Sequence, residues 1–154
     1  MRPEEAALSA TDDVTELTAV FAAFLAAVSF PPGGRPDYGA ISGLFVDGGR
    51  LIKNSGDAPE ISTVDEFIAP RQRLVDSGEL TSFEELEIAH RTEVFGNVAH
   101  RLSSYAKRGE SGGAAIDARG VIFTQFVRTP EGWRMSVMAW DDERPGLQIP
   151  ERYL

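Results

Sequence analysis

Proton transfer near neutral pH is the chemistry this chain could carry out with its own side chains, and His90 is the residue type best suited to it, since an unperturbed imidazole titrates in that range. The chain holds two histidines, His90 and His100. The pair Gly96-Asn97 reads as a two-residue primed hairpin turn, and such a turn sets the register of the strands on either side. Val94 then meets Ala99, Thr92 meets Arg101, His90 meets Ser103 and Ile88 meets Tyr105. The opposite face pairs Glu93 with His100, Arg91 with Leu102 and Glu87 with Ala106. The first face carries less charge and is expected to look inward. It would gather His90, Thr92, Arg101, Ser103 and Tyr105 beside a cavity.

Each of these residues has a plainer reading. His90 is either a general acid/base or a hydrogen-bonded histidine on a half-buried strand. Arg101 binds a ligand carboxylate or phosphate, or pairs with an internal acid, because a buried guanidinium needs an anion. Tyr38 touches ligand or is a surface aromatic. Asp141 is an acid at the cavity mouth or, with Asp142 and Glu143, part of a solvated tail. His100 with Glu93 reads as a surface pair, and Trp133 as core.

Composition narrows the remaining chemistry. Cysteine is absent, which removes disulfides, thiolate metal sites and a cysteine nucleophile. No phosphate-binding loop, dinucleotide fingerprint, nucleophile elbow or metal-ligand spacing occurs, so no cofactor is expected. A formal charge of −9 from 15 Lys+Arg and 24 Asp+Glu argues against nucleic acid or an anionic membrane as partner. The apolar stretch from Val14 to Phe30 is interrupted by polar residues and preceded by Asp12 and Asp13, unlike a membrane span or signal peptide. A cytoplasmic location is expected.

The elements that must position these residues follow from hydrophobic period. The 154 residues fit one domain, with a core over about 13–142, a loose N-terminal arm and a C-terminal tail. Asp13 and Glu16 have the spacing of a capping pair, and Val14, Leu17, Phe21, Phe24, Leu25 and Val28 recur at helical spacing up to Pro31-Pro32-Gly33-Gly34. A short helix is predicted over 37–43, then a strand ending near Ile52. Thr63 and Glu66 cap a further helix that Gly78 stops. From residue 81 the period becomes two, with strands at about 82–95, 98–107, 115–128 and 133–141. Helices first and antiparallel strands after them predict an α+β fold, a curved antiparallel sheet wrapped over the N-terminal helices. In the last hairpin, pairing Arg128 with Trp133 sends Ile122, Thr124, Phe126, Met135, Val137, Ala139 and Asp141 inward. Val121, Phe123, Met138 and Trp140 then face outward, an apolar patch that predicts a homodimer through the sheet.

Four segments together resemble a known family: Leu44-Phe45-Val46-Asp47-Gly48, Thr63-Val64-Asp65-Glu66-Phe67, Val94-Phe95-Gly96-Asn97-Val98-Ala99, and Phe126 through Met135 with its Gly132-Trp133-Arg134-Met135 run. In order and spacing they are similar to the nuclear transport factor 2-like superfamily, in its SnoaL-like and ketosteroid isomerase-like branch. The resemblance covers roughly residues 13–142 and implies a cone-shaped, cystatin-like α+β fold for the single domain expected over residues 1–154. It implies a cavity for a small, partly apolar ligand. The family's catalytic residues do not carry over: the isomerase base falls at Lys53 or Asn54, the acid of the third long strand near Ile122, and the first dehydratase histidine near Phe83. Two readings stay open. One is a cofactor-independent isomerase, dehydratase or cyclase with His90 as acid/base and Arg101 and Tyr105 steadying negative charge. The other is a non-catalytic ligand-binding or dimeric association module.

Overall fold

Helical spacing of large apolar residues builds the first layer. In the computed structural model, which describes residues 2–154 (3–11 by their backbone alone), α1 spans Pro3–Val28 and buries Leu17, Phe21, Phe24, Leu25 and Val28. The helix starts well before the cap expected at Asp13. The acids there serve tertiary contacts instead: Trp133 Nε1 donates to Asp13 Oδ1 at 3.1 Å, Arg128 pairs with Asp13 Oδ2 at 2.8 Å, and the Trp133 amide donates to Glu16 Oε1 at 3.4 Å. Burial alone would raise the Asp13 carboxyl, but those donors outweigh it and hold it below the usual range. The side chains of the expected N-terminal arm lie outside the described residues.

Two single 3₁₀ turns, Tyr38–Ala40 and Ser42–Leu44, replace the short helix expected there and lead into β1, Phe45–Lys53. After β2, Glu60–Ser62, comes α2, Val64–Asp76, whose Thr63–Glu66 capping box forms as its sequence predicts. Gly78, at φ +80°, takes the chain out of that helix. Four long strands follow: β3 Leu80–Phe95, β4 Val98–Ser111, β5 Ala114–Thr129 and β6 Gly132–Asp142. The six strands lie in the order β2-β1-β6-β5-β4-β3 in one curved, unclosed sheet. The α+β architecture is as expected, but the sheet is mixed: β1 runs parallel to β6, and every other pairing is antiparallel. No helix among the described residues is long and apolar enough to cross a membrane.

Two bulges decide which side chains look inward. The Gly96-Asn97 hairpin has the expected register from Phe95–Val98 through His90–Ser103, with Gly96 at φ +58° in the position a II′ turn reserves for glycine. At Ile88 the register shifts, so that Ala89 meets Ser104 and Glu87 meets Tyr105. One extra residue turns the rest of a strand over, and Glu87 and Glu85 thereby join the inner face. A second bulge lies at Ser136, because Phe126 meets Met135 while Gln125 meets Val137. It reverses the expected end of β6. Met138 is fully buried and Trp140 turns toward the helices, while Val137, Ala139 and Asp141 go to the outer face.

The C-terminal tail is not free. It lies across the outer face, where Ser104 Oγ donates to the Tyr153 carbonyl at 2.7 Å and Arg91 Nη2 to the Arg152 carbonyl at 2.7 Å.

Candidate functional site

The inner sheet face and the helices enclose an apolar cavity of about 400 Å³. Phe24 and Val28 of α1, Phe67 and Leu74 of α2, and Ile122, Met138 and Trp140 of the sheet form its walls. The aromatic rings run in a row: Phe24 to Phe67 at 6.3 Å between centroids, and Phe67 to Trp140 at 6.1 Å edge-on. A small set of polar residues interrupts this surface: Tyr38, Lys53, Glu60, Arg71, Glu85, Lys107 and Ser111. Apolar walls with a few placed polar groups are the usual makeup of a small-molecule site.

Glu85 is the polar residue whose state the cavity changes most. It reaches the inner face because of the Ile88 bulge, and its own amide is fixed by donation to Ser29 Oγ at 3.1 Å. Burial pushes its carboxyl up to about 7; Lys107 and Arg71 pull it down, and Asp142 pushes it up further. At neutral pH it is present in both forms, the condition for acting as acid and as base.

Lys107 sits opposite Glu85 in the β3–β4 register. Its ammonium is held 3.0 Å from Asp142 Oδ1 and 5.4 Å from the centre of the Tyr105 ring. Tyr105 donates its hydroxyl to the same Asp142 carboxylate and lies 3.0 Å from the Asp141 carbonyl. Burial and Asp142 hold the Tyr105 hydroxyl protonated far above its usual range. The network leaves Lys107 as an oriented cation beside Glu85.

The residues expected from the sequence are distributed differently. Tyr38 lines the cavity, and burial raises its hydroxyl's pKa. Arg101, Ser103 and Thr92 do cluster, but away from the cavity. Arg101 grips Glu87 with Nε to Oε2 at 2.9 Å and Nη2 to Oε1 at 2.7 Å, and donates Nη1 to Thr18 and Thr92 hydroxyls. Ser103 Oγ adds a third donor to Glu87 at 2.6 Å. Arg101 has thus found the internal acid, delivered by the bulge that sequence periodicity hides. His90 is exposed on the edge strand, its Nδ1 3.2 Å from Thr92 Oγ1, and no described cavity borders it. Tyr105 is buried behind the cavity wall rather than lining it. Asp141 lies on the outer face, paired with Arg144 at 2.7 Å, in the wall of a second cavity of about 460 Å³ beneath the tail.

Sequence reasoning missed Glu85, Arg71, Lys53 and Lys107. Glu85 stands in Glu84-Glu85-Leu86-Glu87, which reads as a solvated strand edge, and Arg71 in a charged run of α2. Only the unbroken inner register of β4, from Ala99 through Lys107, carried a usable signal. Among the described residues no group of three or more His, Cys, Asp or Glu could hold a metal ion.

No protein-family model and no curated relative matches the chain. Solved structures do. A nuclear transport factor 2-like superfamily protein from Salmonella enterica serovar Typhimurium superposes with a TM-score of 0.71 at 14% identity, covering 87% of this chain and 93% of that one. A Novosphingobium aromaticivorans protein described as nuclear transport factor 2-like with a cystatin-like fold gives 0.65 at 20% identity, covering 88% and 85%. A candidate dehydratase of the same family from Streptomyces avermitilis gives 0.67 at 18% identity, covering 87% and 98%. At these identities the likeness is one of fold.

Proposed function

With the nuclear transport factor 2-like fold as premise, we propose that this chain binds a small, partly apolar molecule in the inner cavity and moves a proton on it, as an isomerase, dehydratase or cyclase does, without a cofactor. The observation that carries the reading is Glu85, a carboxyl raised to about 7 on the wall of an apolar cavity and faced across the register by Lys107. Glu85 as carboxylate takes a proton from a carbon next to a carbonyl. Lys107, held by Asp142, stabilises the resulting enolate oxygen, and Glu85 returns the proton to the same carbon or, where a C=C bond is conjugated with the enolate, to its γ-carbon. The acid/base role first assigned to His90 passes to Glu85, because a proton donor must lie within hydrogen-bond reach of the bound molecule.

The test uses 2-tetralone, an apolar ketone, and follows exchange of its α-hydrogens in heavy water by proton NMR. The protein should accelerate exchange, and Glu85→Gln should reduce that acceleration by about 100-fold or more, the usual range for losing a general base. Exchange that is unchanged in Glu85→Gln would remove the proposal.

A homodimer through the sheet belongs to the same reading, with altered residues. Met138 and Trp140 are inside, so the outer face is carried by Leu86, Ile88 and Phe123, which are 56%, 44% and 56% exposed. A second copy would cover them. Sedimentation should show a dimer at micromolar concentration that Phe123→Glu dissociates; a wild-type monomer contradicts it.

A further inference from the structure

Arg71 is a cavity cation whose donor groups the protein does not fill. Its guanidinium lies 3.7 Å from the centre of the Phe67 ring and donates Nη1 to the Phe67 carbonyl at 2.9 Å. Among the described residues no carboxylate comes within the 4.0 Å of an ion pair with it. A guanidinium carries five N–H donors in a rigid fork that matches a carboxylate. Stacking on Phe67 and the bond to its carbonyl fix the plane of that fork, and Arg71 itself forms part of the cavity wall. Burial lowers its pKa, while Glu60, Tyr38 and Glu85 act from a distance to raise it. Arg101, the other arginine on the inside of the cone, shows the contrast: its donors are satisfied by Glu87, Thr18 and Thr92.

The charge around the cavity sets how much negative charge an occupant can bring. Lys107 is matched by Asp142. That leaves Lys53 and Arg71 against Glu60 and Glu85 on the wall, and Glu85 keeps its proton through part of the neutral range. With Glu85 protonated, one added negative charge balances the wall. A dianion such as a phosphate monoester would bring excess charge against Glu60 into a space that is otherwise apolar. The rest of the wall is largely apolar and includes the rings of Phe24, Phe67 and Trp140, suited to an apolar body.

We infer that the cavity takes a monocarboxylate with an aromatic or cyclic apolar body, its carboxylate gripped by Arg71 and its ring laid along Phe24, Phe67 and Trp140. This rests on the cavity being the ligand site proposed above and names the class of ligand. It also gives Arg71 a role in specificity: the arginine positions the molecule so that the carbon next to a carbonyl can face Glu85.

The experiment is calorimetric titration of the whole chain with 2-naphthoate and with its neutral counterpart 2-naphthamide. Wild type should bind the carboxylate at least about tenfold more tightly than the amide, the size expected for one charge-assisted contact in a desolvated site. Arg71→Gln should remove the preference, and Arg71→Lys should restore part of it. Equal binding of the two compounds by wild type, failure to bind either, or a preference that survives Arg71→Gln overturns the inference. If Arg71→Gln does not fold, the Arg71 Nε–H resonance of wild type must move with 2-naphthoate and stay in place with 2-naphthamide. The two readings fail separately. Exchange of 2-tetralone that depends on Glu85, without a carboxylate preference, removes this inference alone. A preference that depends on Arg71, without exchange, removes only the proton-transfer reading.

Discussion

Replacing Arg101 by Met is expected to destabilise the protein by about 3–5 kcal/mol, the range for breaking a buried ion pair from one side. The cost comes less from attraction lost than from what is left behind. Arg101 is fully buried and Glu87 is 18% exposed at its side chain. Without the guanidinium, the Glu87 carboxylate keeps Ser103 as a donor and loses both of its bonds to Arg101, while Thr18 and Thr92 lose theirs. The cluster ties α1 to β3 and β4, with the Arg101 guanidinium also 5.5 Å from the centre of the Phe21 ring. Removing both charges, in Glu87→Gln with Arg101→Met, should therefore restore part of the loss. Urea unfolding monitored by circular dichroism measures each variant. A single-variant loss below about 1 kcal/mol, the worth of a surface pair, would mean that the cluster is hydrated.

The second large effect belongs to Glu85 and has the opposite sign. Its carboxyl titrates near 4.5 in the unfolded chain and at about 7 in the folded one. Between those values the folded state holds more proton on Glu85 than the unfolded state does, so the contribution of Glu85 to stability is most favourable below pH 4.5 and falls as pH rises through 7. A shift of this size corresponds to about 3 kcal/mol at most, and water entering the cavity reduces it to about 1–3 kcal/mol. Glu85→Gln mimics the protonated acid. It should match wild type in stability at acid pH and exceed it by that amount above pH 7. Urea midpoints measured across this range test it. A difference that does not vary with pH would mean that Glu85 titrates as an ordinary surface carboxyl. A variant that gains stability while losing proton transfer is the pattern expected when a site holds a group in an unfavourable environment for use.

How much of this was legible in the sequence depends on the range over which each signal acts. The capping box at Thr63, the helix stop at Gly78 and the Gly96-Asn97 turn are local, and each sits where its residues predict. The inner face of β4 was also legible, because Arg101, Ser103 and Tyr105 alternate without interruption. The bulges at Ile88 and Ser136 were not. Neither falls on a glycine, and each turns over the rest of its strand, which brought Glu85 to the inner face and put Met138 and Trp140 inside, while His90 kept its register and is exposed on the edge strand. The parallel pairing of β1 with β6 joins strands far apart in the chain, beyond any hairpin signal. Asp13 and Glu16 have the spacing of a cap but hold Trp133, a choice made by tertiary contact over local preference.

The central claim is that the cone keeps one carboxylic acid, Glu85, poised near neutrality on the wall of an apolar cavity. Carbon-13 NMR of the side-chain carboxyls, with the Glu85 resonance assigned by its disappearance in Glu85→Gln, tests this most directly. The expected midpoint is about 7. A midpoint at the ordinary value of 4.5 would contradict the claim and leave the cavity without its acid/base.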